Sequence, residues 1–522
     1  MTKRTLFALL AALALGGALL ATPERTGTAT AAPDSRAMTG TTEGTTYVFR
    51  VPIDGPDRAQ DLLRRGFDVL EQRQGDDLFV LGDAATQRKL HSAGFQAEVD
   101  SVLPEPQWEP PRKRDSNETR GASDIDETYY GGYPTVNAHY AHLDKVAADH
   151  PDLATVVTYG QSWRKANGDR RGYDLKAICI TKRTGEDCQQ RTDAPKPRFF
   201  LMSQVHAREI TTGVMSWRWI DHLVGNYAGN AEVKSLLDTT EIWVVPIGNP
   251  DGVDIVQQNG NSPLLQRKNA NTSNGNCTGT QIGIDLNRNN GSHWGESGSS
   301  SYPCAETYRG PHADSEVENR ALQSLWTKLY PDRRDGGPSV PAPADTKGLM
   351  LSMHSYSDMV LFPWAYANVR TGNDSSLRSM ARDMANMMGY RYGQPPEILY
   401  AASGGHDDWT YDKLGVASFT FEIGPASGSC GGFLPRYGCQ DGFWNKVRPA
   451  LMYAAKKAKS PYGGGSDPGD PPDCSATAWQ SSQLYHPRSV VSHDGSEWRS
   501  TWYAWPGDEP GVASVWERTG PC

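Results

Sequence analysis

Residues 198–210 read RFFLMSQVHAREI, an apolar run that ends in a histidine and, three residues later, a glutamate. The run predicts a buried strand that delivers His206 and Glu209 to the edge of a sheet, where α/β proteins place ligand sites. If the chain turns into a helix there, both side chains reach one Zn²⁺ ion, which accepts imidazole nitrogen and carboxylate oxygen. A surface pair at the start of a helix would give the same short pattern.

A second apolar run, GLMLSMHSYSD at residues 348–358, ends in a histidine in the same way. Of the twelve histidines, only His206 and His354 follow such runs. A hydrogen-bonded histidine at a strand end would look alike, but the repeated context favours a third metal ligand. Two histidines and one glutamate, with the fourth position open, predict a catalytic zinc ion, one per chain.

Length and charge limit the class of protein. The chain has 522 residues and a net charge of −9, without a long basic run, so we expect no nucleic-acid binding. Residues 1–32 match a secretory signal peptide: Lys3 and Arg4 precede the apolar run Leu6 to Ala21, with cleavage after Ala21 or Ala32. No other stretch is apolar for about 20 residues, so we expect a secreted, extracellular protein with no membrane segment in its mature form.

The eight cysteines agree with export, because disulfides persist outside the cell. Pairing by proximity, one of many connectivities, closes Gly-, Asn- or polar-rich loops. No C-x-x-C motif supports a cysteine metal site. The proximity pairs are Cys179 with Cys188, Cys277 with Cys304, Cys430 with Cys439, and Cys474 with Cys522.

Residues 33–120 predict a small α+β module on a cleavable tether. TTYVFRVP and DLFVLGD read as strands, AQDLLRRGFDVLEQ as a helix, and AATQRKLHSAGFQAEVD as a helix that runs into a strand. Residues 104–120 are proline-rich and charged, and Arg112-Lys113-Arg114 or Arg120 offers a cleavage site. We interpret the module as a propeptide; an ordinary small domain on a linker is the alternative.

Three further segments follow. Residues 121–459 alternate helix-like and strand-like stretches, which predicts an α/β domain with a mixed sheet between helices. Residues 460–473 form a Gly-, Pro- and Asp-rich linker. Residues 474–522 are so rich in aromatic side chains that a module of this size leaves some exposed.

Seven short motifs follow one another along residues 129–459. They are HAREI at 206–210, NPDG at 249–252, QRKN at 266–269, GIDLNRN at 283–289, HSYS at 354–357, LYAASGGHDDWTYD at 399–412 and FTFEIG at 419–424. In this order they resemble the motifs of the zinc metallocarboxypeptidases, most closely those of the secreted bacterial, carboxypeptidase T-like branch. The resemblance implies an eight-stranded mixed sheet between helices, a propeptide, and the ligands His206, Glu209 and His354.

The same resemblance implies catalytic roles for three residues. Glu422 ends an apolar strand, where an acid is expected only if it faces a site, and it matches the general base that moves a proton from water to the leaving amine. A solvated strand-end carboxylate is the alternative. Arg267 matches the residue that steadies the tetrahedral oxyanion. Asp285 matches the carboxylate that orients a ligand imidazole.

Recognition of a free C-terminus follows from the resemblance as well. Asn287 and Arg288 match the clamp for the terminal carboxylate, which a planar guanidinium binds through paired hydrogen bonds. Tyr400 matches the tyrosine that closes over the bound residue. Arg208 adds positive charge at the entry or is simply solvated. The bridge between Cys277 and Cys304 brackets the clamp and would stiffen its loop.

Specificity is predicted from the floor of the pocket for the terminal side chain. Asp407 lies there by resemblance, and a buried carboxylate favours terminal Lys or Arg. The other lining positions, Leu361, Ala365 and Leu399, are apolar and admit large hydrophobic termini. Asp408 is interpreted as structural. His406 replaces the small residue usual in the family, which affects the expected pocket size and pH response.

The tail resembles the small chitin- or cellulose-binding modules of secreted glycosidases. Trp479, Trp498, Trp502 and Trp505 are its candidate sugar-stacking residues. A disulfide-closed segment without a ligand is the alternative.

We therefore expect a secreted zinc carboxypeptidase, made as a zymogen, that removes basic and also hydrophobic C-terminal residues from peptides and proteins. The main alternative is a catalytically inactive polysaccharide- or cell-wall-binding protein on a peptidase scaffold. A zinc amidohydrolase that acts on peptidoglycan stems or acyl amino acids is a nearer rival, and the carboxylate clamp argues against it.

Overall fold

The structure, a computed structural model, describes residues 45–103, 124–463 and 476–521, apart from residues 478, 482, 494 and 495. The predicted signal peptide, the predicted tether, residues 464–473 of the linker, and Cys474 and Cys522 lie outside these residues.

Residues 45–103 form a four-stranded antiparallel sheet and two helices. The elements are β1 (Tyr47–Pro52), α1 (Pro56–Arg64), β2 (Asp68–Gln74), β3 (Asp77–Gly82), α2 (Ala84–Ser92) and β4 (Glu98–Val102), and the strand order in the sheet is β2-β3-β1-β4. One group of apolar side chains on the sheet packs with the helices, and another, including Phe79 and Leu81, packs with Tyr356 and Phe433 of the following domain.

The helix predicted for AQDLLRRGFDVLEQ is wrong in its second half. Helix α1 ends at Arg64, and Gly66 adopts a φ of +82°, a left-handed conformation that glycine enters without steric cost. The chain then reverses, and β2 pairs antiparallel with β3. A short apolar run fits both helical and strand periodicity, and the turn at Gly66 decides between them.

Residues 124–463 contain an eight-stranded mixed sheet between helices, which confirms the predicted fold. The strands are β5 (Thr128–Tyr129) and β6 (Tyr133–Pro134), which form a separate ladder, then β7 (Ala154–Gln161), β8 (Asp174–Ile180), β9 (Arg198–Ser203), β10 (Glu241–Val245), β11 (Leu349–His354), β12 (Met359–Leu361), β13 (Arg391–Gly393) and β14 (Ala417–Glu422). The helices are α3 (Val136–Asp149), α4 (Trp163–Ala166), α5 (Ile210–Asn226), α6 (Ala231–Thr239), α7 (Pro250–Gln257), α8 (Val317–Leu329), α9 (Asp374–Met388), α10 (Pro395–Ile398), α11 (His406–Leu414) and α12 (Gln440–Lys457).

The large sheet has the order β13-β12-β14-β11-β9-β10-β8-β7. Its four central strands, β14, β11, β9 and β10, are parallel, so their carboxyl ends meet at one edge. At that edge His354 of β11 stands opposite Glu422 of β14. Side chains of β9 alternate between two cores: Phe199 faces α3, α5, α9 and α12, and Phe200 faces α8 and α11.

Three of the predicted disulfides are confirmed. Cys179 is bonded to Cys188, Cys277 to Cys304 and Cys430 to Cys439. The predicted Cys474–Cys522 bridge falls on residues outside the described ranges.

The C-terminal residues form a small antiparallel sheet of three strands, β15 (Val490–His493), β16 (Ser496–Ser500) and β17 (Trp516–Pro521). Its apolar core contains Tyr485, Val491, Ala504 and Trp516. Across the part of the chain that the structure describes, no helix has the length and apolar character needed to span a membrane.

Candidate active site

Three side chains converge at the carboxyl edge of the central strands. His206 and Glu209 follow β9, at the start of α5, and His354 ends β11. Glu209 Oε1 lies 2.7 Å from His206 Nδ1, and its Oε2 lies 3.0 Å from His354 Nδ1. All three residues are buried, and their ligand atoms lie within 4.8 Å of one another. The structure therefore brings the predicted ligand set together.

The opposite edges of both imidazoles are held by hydrogen-bond partners. His206 Nε2 lies 3.2 Å from Asp285 Oδ1, and His354 Nε2 lies 2.8 Å from Ser352 Oγ. Burial raises the pKa of Asp285, but the Arg267 guanidinium and the His206 ring outweigh burial and hold that pKa well below its usual value. An ionised Asp285 thus orients the His206 ring. Ser352 is a contact that sequence reasoning missed, although it lies two residues before a predicted ligand.

The geometry of the donor atoms fits a metal ion. His206 Nδ1 and His354 Nδ1 are 3.1 Å apart, and both nitrogens also lie within 3.0 Å of a Glu209 carboxylate oxygen. A tetrahedral Zn²⁺ with ligand bonds of about 2.0–2.1 Å places neighbouring ligand atoms roughly 3.3 Å apart. Two histidines and one carboxylate leave the fourth position open, as in catalytic zinc sites.

Glu422 lies beside this ligand set, in register with His354. Its side chain is buried, and Oε2 has no hydrogen-bond partner among the described residues. Burial, and then the charges of Glu209 and Glu71, raise the pKa of Glu422 well above its usual value. A buried, unpaired carboxyl group next to a metal site is suited to hold and release a proton.

Arg267 is almost completely buried between two carboxylates. Its Nε donates to Asp285 Oδ2 and its Nη1 to Glu71 Oε1, both over 3.0 Å. Its Nη2 has no partner among the described residues. Arg267 therefore offers an uncommitted donor near the metal ligands, as oxyanion stabilisation requires.

Asn287 and Arg288 lie on a 3₁₀ turn, Leu286–Arg288, that follows Asp285. Arg288 Nε donates to Gly298 O over 2.8 Å and its Nη1 to Asn287 O over 2.9 Å. Arg288 is buried, and no carboxylate among the described residues forms an ion pair with it. A buried guanidinium without an anionic partner is suited to bind an anion.

Asp407 is buried at the first turn of α11. Its Oδ1 accepts from Asp408 N over 2.9 Å, and its Oδ2 accepts from Thr420 Oγ1 over 3.3 Å. No cation among the described residues pairs with it, and burial raises its pKa. Asp408 instead accepts backbone hydrogen bonds from Ala365 and Tyr366, which indicates a structural role. The predicted lining residues Leu361, Ala365 and Leu399 are buried.

The N-terminal sheet reaches the same residues through β2. Asp68 forms two hydrogen bonds with Arg208, of 2.6 and 2.8 Å, and Glu71 bonds Arg267 as described. Tyr400 Oη donates to Val69 O over 3.3 Å. Arg208 is buried, so its solvated alternative is wrong for this form of the chain. The sequence analysis missed the contacts of Asp68 and Glu71 because it placed both residues on a helix. Had this segment been predicted as a mostly buried strand, its acidic residues would have indicated partners of opposite charge.

The four candidate sugar-binding tryptophans of the C-terminal module separate into two groups. Trp479 and Trp498 pack against its apolar core. Trp502 and Trp505 have exposed fractions of 66% and 64%. The second pair is therefore the more exposed of the two.

Comparison with known proteins identifies one matching family. A sequence profile described as "Zinc carboxypeptidase" matches residues 139–445. Human carboxypeptidase B2 is 30% identical over 342 residues, which cover 62% of this chain and 72% of the human protein. Mouse carboxypeptidase A2 is 28% identical over 302 residues, which cover 56% of this chain and 63% of the mouse protein.

A solved structure shows the same fold. Carboxypeptidase A from Helicoverpa armigera superposes with a TM-score of 0.63 at 24% identity, covering 79% of this chain and 97% of the insect chain.

Proposed function

The chain belongs to the zinc carboxypeptidase family, and from that premise we propose that it is a secreted zinc-dependent carboxypeptidase that removes C-terminal residues from peptides and proteins. The observation that carries the proposal is the meeting of a metal ligand set and an unpaired buried carboxyl group at one sheet edge. His206, Glu209 and His354 supply the first, and Glu422 supplies the second. The likeness to the secreted bacterial branch is part of this proposal.

The ligand set would hold Zn²⁺, which polarises a scissile carbonyl and lowers the pKa of a coordinated water. Glu422 takes the proton from the attacking water and delivers it to the leaving amine, and its unpaired Oε2 supports this role. Arg267 stabilises the developing oxyanion through Nη2, the donor that no described residue occupies. Asp285 holds both the His206 ring and Arg267 in place.

The substrate would be recognised by its free terminal carboxylate. Arg288, buried and without a carboxylate partner among the described residues, supplies the charge, and Asn287 adds an amide donor. Tyr400 closes over the terminal residue once the hydrogen bond from its hydroxyl to the Val69 carbonyl is broken. These groups favour a substrate that ends in a free carboxylate over an amide substrate that lacks one.

The side chain of the substrate's terminal residue would enter a pocket with Asp407 at its floor. The absence of any described cation beside this buried carboxylate supports a preference for terminal Lys or Arg. The apolar lining by Leu361, Ala365 and Leu399 supports acceptance of hydrophobic termini as well.

We infer that the N-terminal module keeps the enzyme latent. Two acids of strand β2 form ion pairs with arginines of the cleft: Asp68 pairs with Arg208, and Glu71 pairs with Arg267. The positive charges of both arginines are thereby neutralised. Arg73 Nη1 also bonds Leu399 O, over 3.1 Å, at the pocket. Cleavage in residues 104–120 would release the module and expose these groups.

We also propose that the C-terminal module binds chitin or another polysaccharide through Trp502 and Trp505, whose exposure is suited to stacking on sugar rings. Retention of the chain on insoluble chitin and cellulose tests this role, and replacement of both tryptophans by alanine should abolish it. Equal retention of the double variant contradicts the assignment.

Zinc analysis, combined with peptide hydrolysis before and after limited trypsin treatment, tests the main proposal. We expect one zinc ion per chain and release of free amino acids from Lys-ended and Phe-ended peptides. The trypsin-treated form should be the more active. A zinc-loaded, cleaved protein that releases no amino acid but binds polysaccharide would favour the inactive scaffold instead.

A further inference from the structure

His406 lies in a buried network behind the proposed carboxylate clamp. It is the first residue of α11, its side chain is fully buried, and its ring contacts Trp326 edge-on at 5.7 Å between centroids. Neither ring nitrogen bonds Asp407; one faces Asn287 and the other faces Asn319. The ring therefore contacts the proposed carboxylate clamp, through Asn287, and does not contact Asp407 at the proposed pocket floor.

The backbone of His406 fixes which way the Asn287 amide faces. His406 N donates to Asn287 Oδ1 over 3.0 Å. A backbone N–H can only donate, so the Asn287 atom opposite it must be the oxygen, and Nδ2 faces the other way. Asn287 is partly exposed, and its Nδ2 bonds no residue among those described. The free amide donor thus belongs to the open side of Asn287.

The ring of His406 also contacts the Asn287 amide, on the side that faces the protein interior. Its Nδ1 lies 3.0 Å from Asn287 Oδ1 and its Nε2 lies 3.1 Å from Asn319 Oδ1. Burial lowers the pKa of His406 to about 3, so the ring is neutral and has one N–H. Only one of the two contacts is then a hydrogen bond at a time, but in both tautomers the ring fills the space between Asn287 and helix α8.

Asn319 closes this network, because its Nδ2 donates over 2.8 Å to the carbonyl of Leu286, the residue before Asn287. The loop before α11 is docked on the same turn: a Cβ at Gly404 would lie 2.3 Å from Arg288 O, so only glycine fits. His406 is therefore held rigidly against the turn that carries the clamp.

We propose that His406 is a positioning residue: its backbone N–H sets which atom of the Asn287 amide is the oxygen, and its ring holds that side chain in place so that Nδ2 binds the terminal carboxylate of the substrate. The inference rests on the proposed carboxypeptidase function and adds to it a residue that touches neither zinc nor substrate. It predicts an effect on the affinity for the carboxylate and not on the chemical step.

The experiment compares His406→Leu, which keeps bulk but removes both ring nitrogens, with His406→Gln, which keeps a polar donor and acceptor. In zinc-loaded, trypsin-cleaved enzyme, His406→Leu should raise KM for peptides with a free C-terminus about tenfold and change kcat less than about twofold. Affinity for an N-acylated amino acid should fall by the same factor. Affinity for a simple hydroxamate, which binds metal without a carboxylate, should not change, and His406→Gln should recover most of the loss.

His139→Gln is the matched control. Like His406, His139 is buried, and burial and then His142 lower its pKa to about 3, so its ring is neutral. Its ring packs on Trp217 and not on the turn that carries the clamp. This variant should leave KM unchanged. An unchanged KM in His406→Leu, a parallel loss of hydroxamate affinity, or no recovery in His406→Gln overturns the inference. If His406→Leu does not fold, His406→Asn takes its place in the same comparison. A wild-type enzyme without peptidase activity refutes the proposed function instead.

Discussion

Arg267 Nη1 donates a 3.0 Å hydrogen bond to Oε1 of Glu71, a residue 196 positions earlier in the chain. The same arginine bonds Asp285 through Nε, so it connects the N-terminal sheet to the ligand network of His206. A carboxylate of the N-terminal module thus pairs with one terminal nitrogen of Arg267, next to the Nη2 donor that the proposed mechanism uses.

The first prediction is that Glu71→Ala weakens latency. Truncation of one partner of a buried charge pair costs roughly 2–5 kcal/mol, so docking of the module should weaken and the activity of the uncleaved chain should rise about 30-fold or more. Peptide hydrolysis before trypsin treatment measures the effect. Glu98→Ala, an exposed position on β4, is the control and should leave latency intact. Equal activity of cleaved and uncleaved wild-type protein would show that the module does not inhibit.

The second prediction concerns Glu422→Gln. The variant keeps the shape of the side chain but cannot accept a proton, so kcat should fall by about 10²-fold or more. Zinc content should not change, because the three ligands remain. Near-normal hydrolysis by the zinc-loaded variant would rule out Glu422 as the base.

The third prediction separates metal binding from proton transfer. His206→Ala removes one of three protein ligands, and metal content and activity should be lost together. Chelation of the wild-type protein should give the same loss, reversed by added Zn²⁺. Full zinc occupancy in His206→Ala would mean that the ligand set is misassigned.

The fourth prediction tests the pocket floor. A terminal Lys or Arg would neutralise Asp407, whereas an uncharged residue leaves the buried carboxylate unpaired. Asp407→Ala should lower kcat/KM for Lys- and Arg-ended peptides about 30-fold or more and leave Phe-ended peptides unaffected or improved. An equal loss of kcat/KM for basic and hydrophobic C-termini would show that Asp407 stabilises the loop and does not select the charge of the terminal side chain.

The fifth prediction is a pH dependence of stability at Glu318. Burial, and then the charge of Glu316, raise its pKa in the folded protein to about 8, against about 4.5 for an ordinary glutamate. Between these values the folded state holds a proton that the unfolded state has released, so stability falls as pH rises through this window. In Glu318→Gln the decrease in Tm between about pH 5.5 and pH 8.5 should shrink by at least about 3 °C. Exposed Glu98→Gln should match the wild type, and an unchanged pH profile in Glu318→Gln would contradict the assignment.

Local patterns predict most of the sheet. RFFLMS and LMLSMH are short, mostly apolar runs, which predict strands buried on both faces, and all residues of both strands are buried. The boundary near Gly66 was missed because a seven-residue segment, Asp68–Gln74, satisfies helical and strand patterns alike until its pairing partner is known.

The sequence by itself predicted which residues can bind a metal: His206 and Glu209 are three residues apart in one apolar context, and His354 ends a similar run. Glu422 was singled out as a proton acceptor by its place at a strand end together with the resemblance of FTFEIG to a family motif. Tertiary structure alone decided which groups meet: parallel pairing places His354 opposite Glu422, and docking of β2 places Asp68 on Arg208, 140 residues away. It also placed the His406 ring against Asn287, and it packed Trp479 and Trp498 against the C-terminal core. Such contacts depend on chain packing over long sequence separations, which residue type and periodicity do not encode locally.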